Sequence, residues 1–246
     1  MIKYFAFALL ILIAVSSCGK SYNTRGLDHE QLEQLADAAF LAEDFDDAAG
    51  LYTELMFAYP GAANIDMYLY RLGMSEAALR YWSDALFYFN RVQSEYSRSM
   101  LADDCLFQSA RIWWMQRHDY RKDLTPIINA RTLLSSFFEK YPGSSLIEEA
   151  EILNDKISNA LSMRALFVGQ FYARRNEYDA SLLYLREALN DYGDTECKAE
   201  VLMAIGGVYV QRGNEYSARR FYQRALDECE LNDEQLMELQ TILEEL

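Results

Sequence analysis

Apolar and small side chains recur along the chain with a spacing that is repeated five times. Each repeat starts at a small residue, has a second position four residues later and a third seven residues later, and ends with a residue eleven positions on. The starting residues are Ala48, Ala85, Ala130, Ser181 and Ala218. Because an α-helix turns about 100° per residue, these four positions form one narrow stripe. The pattern predicts five amphipathic helices, each burying one face.

The last position of the stripe is tyrosine in four of the five repeats, namely Tyr59, Tyr96, Tyr141 and Tyr192, and Cys229 in the fifth. A proline and a glycine follow directly in two repeats, at 60–61 and 142–143, although the chain has only 3 prolines. Proline cannot continue a helix, so these positions predict the helix ends.

An apolar helical run precedes each stripe, at residues 30–42, 65–79, 101–117, 147–174 and 197–211. Residues 118–125 form an inserted loop, and residues 231–246 predict a last helix with Asn232 or Asp233 as its N-cap. Five helical hairpins of this kind resemble the tetratricopeptide repeat. The predicted fold of residues 29–246 is all-α: a right-handed superhelix of about five tetratricopeptide-like hairpins with a C-terminal capping helix.

The N-terminus has a different pattern. Lys3 precedes an uninterrupted apolar run from Phe5 to Val15, which is shorter than the about 20 residues that span a bilayer. The run ends in residues 15–18, Val-Ser-Ser-Cys, which resemble the bacterial lipobox. The resemblance implies a signal peptide at 1–17, lipids on Cys18 and a flexible tether at 18–28. An ordinary signal peptide with a chance cysteine is the alternative. Gly19 follows the cysteine, where an aspartate would suggest retention in the inner membrane. The resemblance therefore points to the outer membrane, facing the periplasm.

The formal net charge of −15 argues against nucleic acid as a partner, because such a surface repels phosphate. The cysteines after Cys18 are three, an odd number that does not suggest a disulfide framework. Cys197 and Cys229 each lie 16 positions from Gly213, at the centre of the last hairpin turn. A disulfide between them is therefore geometrically feasible, and two plain thiols are the alternative.

No constellation of catalytic residues stands out in the sequence. The two histidines, His29 and His118, are far apart in the repeat array and have no second ligand in view. Phosphate-binding loops, nucleophile elbows and catalytic cysteine–histidine spacings are not found. The sequence therefore predicts a non-catalytic protein without a metal site or a cofactor.

Three long stretches, 39–60, 123–157 and 165–195, resemble the BamD family of outer-membrane assembly lipoproteins. The family motifs are Asp-x-Thr-Pro-x-x-x-Ala, then Phe-Tyr-x-x-Arg-x-x-Tyr-x-Ala, then a helix that ends in Tyr-Pro-Asp-Thr. The matching residues are Asp123, Thr125, Pro126 and Ala130; Phe171, Tyr172, Arg175, Tyr178 and Ala180; and Tyr192, Asp194 and Thr195. Gly193 replaces the proline of the third motif.

The resemblance implies a lipid-anchored scaffold at the periplasmic face of the outer membrane. Such proteins bind the periplasmic domains of the barrel protein BamA and help to fold unfolded outer-membrane proteins. In this chain Leu183 and Tyr184 stand where family members often carry an asparagine and an arginine that meets BamA. The neutral Tyr184 cannot form that ion pair with the partner. Alternatives are a repeat lipoprotein that coordinates cell-envelope or division proteins, and a ligand-binding accessory of nutrient uptake.

Stacked hairpins of this type leave a concave face that is lined mainly by the first helix of each pair. Tyr68, Tyr70 and Arg71 on the second such helix, and Trp113 and Trp114 on the third, are candidates for a groove that binds peptides or partners. Neighbouring residues on a helix point about 100° apart, so the two tryptophans cannot face the same seam. Burial of both tryptophans between successive hairpins is the alternative for that pair, and an ordinary core or surface position is the alternative for Tyr68, Tyr70 and Arg71.

Overall fold

The computed structural model describes residues 22–246, and these residues form helices and connecting loops with no strand among them. The predicted signal peptide and Cys18 lie outside the described residues. Eleven helices follow one another in this part of the chain. They are α1 (His29–Leu41), α2 (Phe45–Ala58), α3 (Ile65–Ala78), α4 (Trp82–Glu95), α5 (Ala102–Met115), α6 (Thr125–Lys140), α7 (Ile147–Arg174), α8 (Tyr178–Asp191), α9 (Lys198–Gln211), α10 (Glu215–Glu228) and α11 (Asp233–Glu245).

The predicted stripe is the buried face of α2, α4, α6, α8 and α10. All five starting residues are fully buried, and so are the residues four and seven positions later, with Tyr222 at 4% the most exposed of the set. Each stripe helix ends one residue before the predicted last position, because Tyr59, Tyr96, Tyr141, Tyr192 and Cys229 are the C-caps. The predicted all-helical fold, including the register of the repeat, is confirmed.

Glycines on the preceding helices explain how three of the five hairpins close. A Cβ atom on Gly73 would lie 2.6 Å from the ring of Phe89, and one on Gly206 would lie 2.6 Å from the ring of Tyr222. A Cβ atom on Gly169 would lie equally close to Leu185. In each of these hairpins the large stripe residue follows the glycine by 16 positions, so the two helices touch where one of them has no side chain.

The turns between the paired helices share one backbone geometry. Glu43, Arg80, Asn176 and Gly213 all have φ between 60° and 71°, and each lies five residues before its stripe. The amide after each of these residues donates to a carbonyl five residues back, as Asp44 does to Ala39. This is the Schellman motif, in which a left-handed residue satisfies the last carbonyls of the helix.

Replacing Glu43 with glycine is expected to raise the free energy of unfolding by about 0.5–1 kcal/mol, because a left-handed backbone costs glycine little and other residues about 1–2 kcal/mol. Gly213→Ala at the equivalent turn is the matched control and should lower stability by a similar amount. Urea unfolding followed by circular dichroism measures both changes. Stability changes of the same sign in the two variants would contradict the view that these positions need a left-handed backbone.

The chain divides into two compact units, with the boundary between Ser109 and Ala110 inside α5. The core of the first unit holds the fully buried rings of Tyr52, Tyr68 and Phe89. The second unit has one core cluster around Leu185 and Ile205 and another around Tyr222 and Leu239. The right-handed superhelix stays a prediction.

The last helix, α11, packs against the second of these clusters. Leu239 is fully buried there, and Ile242, Leu243 and Leu246 lie beside it. Asn232 accepts a hydrogen bond from the amide of Gln235, and the Gln235 side chain bonds back to the Asn232 amide in a capping box. The predicted capping helix is therefore present. In residues 22–246 no helix has both the length and the apolar character needed to cross a membrane.

Candidate functional site

The longest helix, α7, forms one wall of an open cavity in the second unit. It has 28 residues, against 14 in its partner α8. The cavity has a volume of about 490 Å³ and five of its lining residues are aromatic. Its lining consists of Leu124, Leu161, Arg164, Ala165, Phe167, Val168, Phe171, Tyr172, Tyr184, Glu187 and Tyr192. We call it the α7–α8 cavity.

Two tyrosines join the helices at this cavity. The rings of Tyr172 on α7 and Tyr184 on α8 are stacked, with centroids 5.6 Å apart and an angle of 3° between their planes. Tyr192 lines the cavity at the end of α8, and its hydroxyl accepts a hydrogen bond of 2.7 Å from Arg131 on α6. Burial raises the pKa of Tyr192. The cavity wall is therefore aromatic and held in place by stacking and a hydrogen bond.

The charges around the α7–α8 cavity are of both signs. Arg164 and Glu187 lie in its lining. Arg175 pairs with Glu177 at 2.9 Å, and Arg186 donates to the hydroxyl of Tyr209 at 2.8 Å. The most exposed apolar side chains nearby are Leu183 at 66% and Phe171 at 44%. This surface is suited to an apolar or aromatic side chain of a partner more than to a lone anion.

Three of the five predicted groove residues, Tyr68, Tyr70 and Arg71, belong to the first unit. The prediction is wrong for Tyr68. Tyr68 is fully buried, and its hydroxyl shares a hydrogen bond of 3.1 Å with Nε2 of His29. Burial raises the pKa of Tyr68 to about 12. Tyr68 is therefore a core residue that offers no surface to a ligand. Tyr70 is half-buried, and its ring centroid lies 6.1 Å from that of Phe89.

Arg71 lies in a polar cluster with Asp37 and Tyr52. It forms an ion pair with Asp37 and donates to the Tyr52 hydroxyl at 2.8 Å, and this hydroxyl donates to Asp37 at 2.6 Å. The Arg71 guanidinium also lies 5.4 Å from the ring centroid of Phe40. Burial raises the pKa of Tyr52. Through these contacts Arg71 links α1, α2 and α3.

Trp113 and Trp114 are both half-buried, in the second unit. The ring of Trp114 lies under the guanidinium of Arg117, with 4.0 Å from Cζ to the ring centroid, and it lines a second cavity with residues of α7. Trp113 does not line that cavity. Trp114 is thus the member of the pair that faces a concave surface.

The structure contradicts the disulfide between Cys197 and Cys229, because both are free thiols, as is the buried Cys105. The two residues pack against different core clusters, Cys197 near Leu185 and Cys229 near Tyr222. The thiol of Cys197 donates to the Ser162 hydroxyl at 3.0 Å. The equal distances in sequence from the turn therefore do not correspond to a bond between the two sulfur atoms.

Among residues 22–246, no three histidine, cysteine, aspartate or glutamate side chains are grouped so that they could hold a metal ion. His29 packs edge-on against Tyr59, with ring centroids 4.6 Å apart. His118 is exposed in the insert between α5 and α6.

The structure has two regularities that the pattern of the stripe did not include. The glycines at 73, 169 and 206 lie 12 positions before their stripes, and the left-handed residues lie five positions before. The period of the glycines could be read from the sequence, whereas the left-handed residues share no residue type. The pairing of Tyr172 with Tyr184 could not be read from the sequence, because it depends on the angle at which α7 and α8 cross.

The paired helices and the repeated register define a helical-repeat protein, and its second unit carries an open aromatic cavity. The chain belongs to the YfiO family of outer membrane lipoproteins, whose profile matches residues 23–224. Among named relatives it is similar to the outer membrane protein assembly factor BamD of Pasteurella multocida (strain Pm70). The two are 21% identical over 218 residues, which cover 85% of this chain and 84% of the relative.

Similar solved structures include two tetratricopeptide-repeat proteins. One, from the thermophile Thermus thermophilus, is 18% identical with a TM-score of 0.37, and the alignment covers 88% of this chain and 99% of that one. Another, from Parabacteroides merdae, is 12% identical with a TM-score of 0.40 and coverages of 87% and 98%. Both scores are low, so the repeat assignment rests on the spacing and packing described above.

Proposed function

We propose that this chain is a non-catalytic, lipid-anchored scaffold of outer-membrane β-barrel assembly. It binds the periplasmic domains of a BamA-like barrel protein and unfolded outer-membrane proteins. The observation that carries the proposal is the match of residues 23–224 to a family of outer membrane lipoproteins, together with a relative named as an assembly factor that aligns over most of both chains.

The geometry of the second unit supports this role. The α7–α8 cavity is concave, aromatic and open, and Tyr184 lines it, whereas the exposed Leu183 precedes Tyr184 on α8 and lies outside the lining. Interfaces between proteins draw most of their binding energy from a few such anchors and their pockets. We assign the barrel partner to this cavity, with the neutral Tyr184 as a packing contact in place of an ion pair.

The proposal predicts that a C-terminally tagged chain, purified from its own organism in mild detergent, carries a BamA-like barrel protein with it. Depletion of the chain should lower the amounts of other outer-membrane barrels, because their assembly needs the scaffold. Mass spectrometry of the eluate and of outer membranes measures both. Recovery of cell-division or wall-synthesis proteins without any BamA-like barrel would favour the envelope-coordinating alternative and refute the proposal.

The double substitution Leu183→Ala/Tyr184→Ala is expected to weaken binding of the purified periplasmic domains of the barrel partner at least ten-fold, since a central anchor contributes about 2 kcal/mol or more. Tyr216→Ala is the matched control, because Tyr216 is 82% exposed on α10 and lines none of the α7–α8 cavity. Calorimetry measures the affinities, and circular dichroism checks the fold. An unchanged affinity in the double variant would show that the barrel partner docks on another surface of the chain.

A further inference from the structure

A second cavity of the second unit lies beside the insert that joins α5 to α6, and we call it the Trp114 cavity. Its volume is about 790 Å³. It is lined by Trp114, Arg117, His118, Asp119, Tyr120, Ile127, Lys156, Asn159, Ala160, Met163 and Glu196. No residue of this lining is shared with the α7–α8 cavity.

The insert separates the two cavities. The ring of Tyr120 packs edge-on against Phe167 of α7, with centroids 6.4 Å apart. Arg164, also on α7, donates from Nη1 to the carbonyl oxygen of Arg121 at 3.0 Å. Phe167 and Arg164 line the α7–α8 cavity, whereas Tyr120 lines the Trp114 cavity. The insert therefore lies across α7 between them, and the Trp114 cavity is a site of its own.

The lining of the Trp114 cavity contains two cations that form no ion pair within residues 22–246. They are Arg117 and Lys156, in a protein of net charge −15. Of its two acidic residues, Asp119 is bound by Arg121 through contacts of 2.6 and 3.0 Å, which lower the pKa of the Asp119 carboxyl. Glu196 is the other. With Asp119 held by Arg121, Arg117 and Lys156 face a single unpaired carboxylate of the lining, so the cavity can accept a carboxylate from a ligand.

Arg117 is positioned in advance for such a group. Its guanidinium lies over the ring of Trp114, and Nη1 donates to the Trp114 carbonyl oxygen at 3.0 Å. Within residues 22–246 it forms no ion pair with a carboxylate. Other arginines of the chain do, namely Arg71, Arg91, Arg121, Arg175, Arg212 and Arg224. A side chain that is already ordered loses less entropy when it binds.

We propose that the Trp114 cavity binds an extended acidic segment of a partner polypeptide. A carboxylate of the segment lies between Arg117 and Lys156, and an adjoining apolar side chain packs against Trp114 and Met163. Arginine and lysine supply the charged donors, and the aromatic ring supplies the apolar surface that selects the neighbouring side chain. The site is independent of the α7–α8 cavity, so it does not depend on the identity of the barrel partner.

The concave shape favours a polypeptide over a membrane surface. Trp114 is half-buried in a cavity lined by residues of α5, the insert and α7, and a single extended chain reaches such a ring more readily than a flat array of lipid headgroups does. A single extended chain can enter a cavity of this size, as peptides do in other grooves. Anionic lipid is therefore the competing occupant that the experiment must exclude.

The probe is a fluorescein-labelled peptide of alternating glutamate and leucine, titrated with the full chain and followed by anisotropy and by tryptophan fluorescence. The variant Arg117→Ala/Lys156→Ala is expected to bind about ten-fold more weakly, since an exposed ion pair contributes up to about five-fold in affinity. Raising the salt concentration from about 50 to about 300 mM should weaken wild-type binding and leave the variant nearly unchanged.

Arg91→Ala/Lys198→Ala is the matched control, because it removes the same two residue types at places where they pair with Glu95 and Glu228. It should bind the peptide within about two-fold of the wild type. No binding by the wild type, equal binding of a lysine–leucine peptide, or equal binding by the Arg117→Ala/Lys156→Ala variant would each overturn the proposal. Displacement of the peptide by phosphatidylglycerol vesicles would overturn it in favour of a lipid site.

Discussion

Replacing Gly206 with alanine is expected to lower the free energy of unfolding by about 1–2 kcal/mol, although alanine is the better helix former by about 1 kcal/mol. The new Cβ atom would lie 2.6 Å from Cε1 and 2.8 Å from Cδ1 of Tyr222. Tyr222 is buried between α9, α10 and α11, so its ring cannot move aside without disturbing the core around Leu239. Overpacking of this kind outweighs the gain in helix propensity.

The neighbouring glycine provides the control. A Cβ atom on Gly207 would lie 3.6 Å from the Tyr222 hydroxyl oxygen, which is an ordinary contact. Gly207→Ala should therefore raise stability by up to about 1 kcal/mol, because only the helix propensity changes. Two adjacent glycines on α9 are thus expected to respond to the same substitution with opposite signs. Urea unfolding of both variants measures the difference.

The cause of the Gly206 effect can be isolated with a second substitution. In a Tyr222→Leu background the ring is gone, and Gly206→Ala should cost at least about 1 kcal/mol less than it does in the wild type. A Gly206→Ala variant as stable as the Gly207→Ala variant would refute the close crossing of α9 and α10. Equal costs of Gly206→Ala in the two backgrounds would refute the role of the Tyr222 ring.

Replacing Cys18 with serine is expected to abolish lipid attachment and release the chain from the outer membrane. Only a thiol can accept the diacylglyceryl group, and several acyl chains hold a protein on a bilayer where a single chain binds reversibly. Labelling of growing cells with a clickable palmitate analogue, followed by membrane fractionation, measures both effects. The labelled band should disappear, and the variant should be recovered as an unprocessed precursor or in the soluble fraction.

Ser17→Ala is the matched variant for this experiment, because it keeps a small residue before the cysteine and should be labelled like the wild type. Palmitate label on the Cys18→Ser variant would place the lipid on another residue. Wild-type protein that carries no label would instead support an ordinary signal peptide. Both results leave the helical fold of residues 29–246 intact. The first moves the anchor to another residue, and the second removes the anchor from the proposed function.

The helices could be predicted closely because their determinants are local. The stripe from Ala48 to Tyr59 lies within four turns of one helix, and its period depends on the helix alone. The predicted run 147–174 coincides with α7. Asn232 was one of two residues predicted as the N-cap of the last helix, and its side chain does accept the capping bond.

The candidate sites could be predicted less well because they depend on packing between helices. Tyr68 has the residue type of a binding anchor, but the crossing of α1, α2 and α3 buries it beside His29. Trp114 faces a cavity because the insert and α7 meet around it. Neither the path of the insert nor the crossing angle of two helices can be read from periodicity, since both depend on contacts between residues distant in sequence.

The unbroken length of α7 also restricts how this chain can change. At 1.5 Å per residue its 28 residues form a rod of about 42 Å. Inserting or deleting one residue near its middle would turn everything downstream by about 100° and carry Gly169 away from Leu185. Insertions or deletions in α7 are therefore tolerated only when they are close to whole turns, at about three to four or about seven residues. The insert before α6, in contrast, can vary in length one residue at a time.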